Sequence, residues 1–108
     1  MFHQVCEAVE YLHCNYIVHR DIKLENIFVS AQSGKLVCKL GDFGFATSCH
    51  SPEGLILYNS YKGTKRGYMA PEIHEALQDH EKYYDARACD VFALGVILFA
   101  MVLGRLPF

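Results

Sequence analysis

An excess of either sign of charge is missing from this chain of 108 residues: 10 Lys and Arg stand against 12 Asp and Glu, a net of −2 with His neutral. That balance supplies no polyanion-binding field, so neither nucleic acid nor an anionic membrane surface is expected as a partner. Paired cysteines are lacking too. Cys6, Cys14, Cys38, Cys49 and Cys89 are odd in number, widely spaced and contain no C-x-x-C pair. This argues against a disulfide framework or a zinc knuckle and for a reducing, cytoplasmic compartment. The first ten residues have no basic flank followed by an apolar block, so no secretory signal is expected. The longest apolar stretch, Val91–Gly104, has 14 residues, short of the ~20 that cross a bilayer. It reads as a buried core helix, and no membrane span is expected. Internal repeats and low-complexity tracts are absent, and the length allows one domain at most.

What is present is apolar. A 52% hydrophobic and 20% charged composition is the opposite of a disordered chain. Phe2, Val5, Val9, Leu12 and Tyr16 recur at spacings of three and four, which predicts an amphipathic helix to about Cys14. A polar stretch follows, residues 19–26. The β-prone segments Ile27–Ser30 and Leu36–Leu40 flank Gln32-Ser33-Gly34-Lys35 and predict a hairpin. Residues 45–67 hold no period, and a stretch that long without one is uncommon unless it is functional or mobile. Pro71 suits the first position of a short helix to about His80. Asp85 is a credible cap for a last helix from Ala86 to about Val102, closed by Gly104 and Pro107. That helix is apolar nearly all round, which predicts burial on every side, although nothing else in the chain looks large enough to surround it.

Three patterns follow one another in a fixed order: His19-Arg20-Asp21-Ile22-Lys23-Leu24-Glu25-Asn26, then Asp42-Phe43-Gly44, then Ala70-Pro71-Glu72. Each alone is weak. Together, with a hairpin between the first two and a loop between the last two, they resemble the H-R-D-x-K-x-x-N, D-F-G and A-P-E signatures of eukaryotic protein kinases. Asp90-Val91-Phe92-Ala93-Leu94-Gly95 is similar to the D-x-W-x-x-G that heads the family's central helix, with Phe in place of Trp. The resemblance covers essentially the whole chain.

The resemblance implies residue roles that the chemistry explains. Phosphoryl transfer to a hydroxyl needs a carboxylate for the proton, cations for the γ-phosphoryl and hard oxygen ligands for the metal. Asp21 corresponds to the base, Lys23 to the γ-phosphate contact, and Asn26 and Asp42 to the Mg²⁺ ligands. Phe28 corresponds to part of the floor under the adenine of ATP, and His19 and Phe43 to the lower half of the regulatory spine. Lys at the second position after the Asp is the serine/threonine pattern. Arg20 beside Asp21 implies a loop held by a phosphorylated residue, with Ser60, four residues before Thr64, ahead of Thr47, Ser48 and Ser51. Thr64 corresponds to the substrate-facing threonine, yet it stands eight residues before Glu72 where the family has seven.

Plainer readings compete: Asp21 as a turn or cap residue, Asp42 as a turn residue, Lys23 as a solvated lysine, Ser60 as an unmodified loop serine. The shared order of motifs outweighs the first three. His74-Glu75 and His80 do not have the H-E-x-x-H spacing and read as a solvated helix face. The expected fold is α+β, a protein-kinase-like C-lobe fragment, mainly helical with one small β-hairpin. Residues 1–108 are expected to be part of a kinase catalytic domain whose N-lobe and final helices are absent. No glycine-rich loop, V-A-I-K lysine or partner glutamate occurs in them, and Glu72 has no arginine partner of the family's kind. The expected function is ATP- and Mg²⁺-dependent phosphorylation of protein Ser/Thr by the full-length parent. The alternative is a truncated pseudokinase or non-catalytic binding module.

Overall fold

Helix α1, Phe2–Cys14, opens the chain in the computed structural model, which describes residues 1–108. Its apolar spacing sends Val5 and Val9 into the core. Strand β1, Ile17–Val18, leads to the polar loop, and a single 3₁₀ turn, Leu24–Asn26, delivers the chain to β2, Ile27–Gln32. Strand β3, Lys35–Leu40, pairs antiparallel with β2 from Ile27↔Leu40 to Gln32↔Lys35. The two central turn residues, Ser33 and Gly34, have φ of 52° and 77°. Positive φ at both is what a tight two-residue hairpin turn demands, and Gly supplies one of them without strain.

Helix α2, Pro71–Gln78, starts on its proline and buries Ile73 and Ala76, three residues apart on one face. Helix α3, Ala86–Leu103, is capped at its start by Asp85, whose side chain accepts from the Arg87 N–H, and ends at Gly104 in the left-handed region. It belongs to both hydrophobic clusters of the chain. Ala86 and Cys89 pack with Val18, Cys49, Ile73 and Tyr84; Ala93, Leu94, Val96 and Ile97 pack with Val5, Val9, Ile22, Leu40 and Tyr68. The first turns of α3 thus lie under the polar loop.

One expectation needs correction. One hairpin was expected, but there are three two-stranded antiparallel pairs: β2–β3, β1 with β4 (Thr47–Ser48), and β5 (His50–Ser51) with β6 (Gly54–Leu55). Strands of two residues are too short for any period to register in the sequence. Helix α3 is not enclosed, in keeping with a chain in which nothing looks large enough to surround it. Val91, Leu98, Val102 and Leu103 are exposed, because no element of the chain lies against that face. At 18 residues α3 has the length and apolarity of a membrane-crossing segment, but its other face is core and carries the buried Asp90.

Candidate active site

A buried carboxylate organises the loop between β1 and β2. Asp90, in the second turn of α3, accepts the His19 N–H (2.9 Å) and the His13 ring (2.9 Å) at Oδ2, and the Arg20 N–H (3.0 Å) at Oδ1. A polar group buried this deeply is tolerable only when its bonds are made inside. Here they also fix the backbone, holding Arg20 at φ 70°, a conformation that costs a non-glycine residue about 1 kcal/mol or more. His19 is fully buried. The Asp21 N–H donates to its Nδ1 (3.1 Å), so the ring proton sits on Nε2 and donates to the Gly41 carbonyl at 2.8 Å. His19 therefore ties the loop to the end of β3. The Phe43 ring meets its edge with centroids 5.1 Å apart.

Asp21 is 2% exposed. Asn26 Nδ2 donates to both its carbonyl (2.7 Å) and its Oδ2 (3.1 Å). Lys23 Nζ lies 3.3 Å from Oδ1, an ionic contact that is not aligned as a hydrogen bond, so Oδ1 is the one buried side-chain oxygen without a donor. The Gly41 N–H donates to the Asn26 carbonyl (2.9 Å), extending the β2–β3 ladder by one step. Asp42, at φ 55°, follows directly and accepts only from the Gly44 N–H at 3.3 Å. Phe28 lies against Gly41: a Cβ there would stand 2.5 Å from its ring, so this position takes no side chain without moving Phe28. Asp21, Lys23, Asn26, Phe28 and Asp42 are thus gathered at the open end of one hairpin.

The segment before α2 is stitched to the same loop. Thr64 Oγ1 donates to the Arg20 carbonyl at 3.0 Å, the Leu24 N–H donates to the buried Tyr68 hydroxyl at 3.3 Å, and Lys65 pairs with Glu25. The extra residue in this segment does not keep Thr64 from the loop. Its bond goes to the residue preceding Asp21. The Lys65 ammonium holds the Glu25 carboxyl below its ordinary range, and Glu25 in turn raises Lys65. Beside them lies an open groove of ≈ 500 Å³ lined in part by Arg66, Met69, Pro71 and His74. Glu72, without an arginine, meets the Cys89 thiol at 3.5 Å; burial first, then this carboxylate, pushes the thiol far up.

Ser60 is exposed, and what is held is its carbonyl, which accepts from the Tyr84 hydroxyl. No hydrogen bond joins Ser60 to Arg20, whose Nε donates to the Phe45 carbonyl (2.7 Å) and whose guanidinium lies over Tyr58. Two participants, His13 and Tyr58, carry no spacing signal in the sequence; Tyr68 stands two residues before Ala70-Pro71-Glu72, where the family's pattern has its tyrosine.

A family model described as the protein kinase domain matches residues 1–108. The chain belongs to that family. It is 41% identical over 105 residues to the serine/threonine-protein kinase ppk16 of Schizosaccharomyces pombe, with 97% of this chain and 14% of that protein covered. It is 43% identical to the serine/threonine-protein kinase TIO of Arabidopsis thaliana, over 97% of this chain and 7% of that one, and 40% identical to SIK2 of Gallus gallus, over 99% and 12%. The kinase-domain chain thus spans 14% or less of the length of these three relatives.

Proposed function

We propose that residues 1–108 are the C-lobe part of a serine/threonine protein kinase, which transfers the γ-phosphoryl of ATP to Ser or Thr hydroxyls of protein substrates. The observation that carries this reading is Asp21: a buried carboxylate with Oδ2 tied to Asn26 and Oδ1 unpartnered beside Lys23. One oxygen fixes the orientation, and the other remains able to take the proton of an incoming hydroxyl.

The residues present fit Mg²⁺. Asn26 spends its amide N–H₂ on Asp21, and its amide oxygen makes no hydrogen bond within the chain. Asp42 beside it is only weakly engaged. Two hard oxygen donors suit a cation that keeps waters and phosphate oxygens in its shell. Asn26 and Asp42 would hold it, Lys23 would contact the γ-phosphate, and the exposed Phe28 ring would lie under the adenine. When bound, ATP supplies the phosphoryl group and Mg²⁺ the charge neutralisation. The chain's own work is to orient Asp21 through Asn26, to place Lys23, and to keep the loop rigid through Asp90. An intracellular, reducing location is part of this reading, and five unpaired thiols support it.

The test uses this segment within a chain that also carries a glycine-rich loop and its lysine. Asp21→Asn lowers turnover roughly 10²-fold or more with ATP binding nearly unchanged, because the base acts on the acceptor hydroxyl. Asp42→Asn also weakens Mg²⁺-dependent ATP binding, since it removes a charged ligand. Full turnover in both variants would remove Asp21 and Asp42 from the catalytic machinery, and no turnover in the unsubstituted protein would leave a pseudokinase or binding module. Residues 1–108 alone give no turnover near the ~1 s⁻¹ of a kinase, because positioning and electrostatics supply most of this catalysis and no phosphate-covering loop occurs in them.

A further inference from the structure

Arg20 precedes Asp21, and its charge needs a partner. It has two. Its Nε donates to the Phe45 carbonyl at 2.7 Å, and its guanidinium lies 5.5 Å from the centroid of the Tyr58 ring. That ring is itself held on several sides. The Tyr58 N–H and carbonyl exchange hydrogen bonds with Tyr84 (3.0 and 2.8 Å), and its hydroxyl donates to the Ser48 carbonyl at 2.6 Å. Tyr84 is buried and its hydroxyl, pushed up to about 12 chiefly by burial, stays a donor to the Ser60 carbonyl. Tyr58 is therefore a fixed platform, and a planar cation over a fixed aromatic face loses little freedom in binding it.

We propose that Tyr58 is a positioning residue for the Asp21 loop: its ring is the built-in partner of Arg20, so the loop takes its geometry while every hydroxyl of residues 45–64 is unmodified. The path from ring to carboxylate is short. Arg20 holds φ 70°, its N–H is on Asp90 and its carbonyl receives Thr64, so its side chain, backbone and neighbour Asp21 move together. Ser60 does not take part, since its hydroxyl makes no hydrogen bond and lies in solvent. A phosphate on Ser60 would compete with Phe45 and Tyr58 for Arg20 rather than complete an empty site. The consequence for catalysis rests on the kinase reading above; the contact is read without turnover, so the two can fail separately.

The experiment follows Arg20 in the full-length protein after phosphatase treatment, by its reactivity toward phenylglyoxal and by amide exchange over residues 19–26. Tyr58→Leu raises both about two- to fivefold, the scale of a cation–π contact at a half-exposed site, with exchange in α1 unchanged. Tyr58→Phe, which keeps the ring, and Ser60→Ala leave both as they were. Phosphatase treatment of the unsubstituted protein also leaves them unchanged. The proposal is overturned if dephosphorylation alone frees Arg20, or if Tyr58→Leu does nothing. Should Tyr58→Leu loosen α1 and α3 as well, Tyr58→Met decides, because it keeps a side chain of similar reach, the backbone bonds to Tyr84 and the Arg20–Phe45 bond but removes the aromatic face. Faster exchange over 19–26 then supports the proposal, and unchanged exchange overturns it.

Discussion

The polar loop between β1 and β2 is more thoroughly buried than the apolar end of α3. His19, Asp21 and Asn26 are 0 to 5% exposed, while Val102 and Leu103 are 71% and 55% exposed. Hydropathy would predict the reverse. What decides burial here is whether a partner exists within the chain. Apart from Asp21 Oδ1, the loop's polar groups satisfy one another and Asp90, which offsets most of the cost of losing water. The outer face of α3 finds no element opposite it, and its apolar side chains stay in solvent. The loop finds nearly all its partners within residues 1–108; the outer face of α3 finds none there.

The largest effect that could break this comparison lies at Asp90. Asp90→Ala leaves the N–H groups of His19 and Arg20 and the His13 ring without an acceptor, and removes the anchor that holds Arg20 at positive φ. The expected loss is roughly 3–5 kcal/mol, the cost of breaking a buried charged network by deleting one member. That is a large share of the ~5–15 kcal/mol of a small domain. Asp90→Asn, which keeps one acceptor oxygen, falls between. Urea denaturation reads both. An Asp90→Ala variant no less stable than a surface substitution would show that the loop does not depend on α3.

Next comes the exposed face itself. Leu98→Lys and Val102→Lys replace side chains that touch solvent, so the expected change in stability is within about 0.5 kcal/mol. Self-association should respond far more. The unsubstituted chain exposes a contiguous apolar helix face and should associate and bind hydrophobic dyes; the double variant should move toward a monomer by light scattering. Substitutions that cost as much as Asp90→Ala would mean that this face is already covered.

The same contrast explains what could be read in advance. Helices α1 and α3, the hairpin and the Asp85 cap were legible because each is written in one local signal: a period, a turn pair, a capping residue. The site residues were legible as an ordered set of motifs. Neither tells where a side chain's partner lies. That His13 and Asp90 meet 77 positions apart, or that Arg20 rests on Tyr58, depends on how α1, α3 and the loop pack, and no spacing in the chain encodes it. The small size of the chain told that α3 would not be enclosed, but not which of its side chains would stay in solvent. Its apolarity describes what the helix wants covered, and only packing shows what is there to cover it.

The smallest effect belongs to the rim of the loop, where Lys65 and Glu25, each about half exposed, form an ion pair. Glu25 is held below its ordinary range by Lys65, so the folded chain favours its ionised form. Its contribution is complete above the unfolded carboxyl value of about 4.3 and fades as pH falls through the lowered folded value. Lys65 runs the other way, complete below its unfolded value of about 10.4 and lost as pH rises through the raised folded one. Between those limits the pair is constant, and salt rather than pH weakens it. Lys65→Met should bring the Glu25 titration, followed by carboxyl NMR, back up toward its ordinary midpoint while urea stability barely changes. If Glu25 keeps its lowered value without Lys65, the backbone of the 3₁₀ turn holds it instead, and the rim is built like the buried centre.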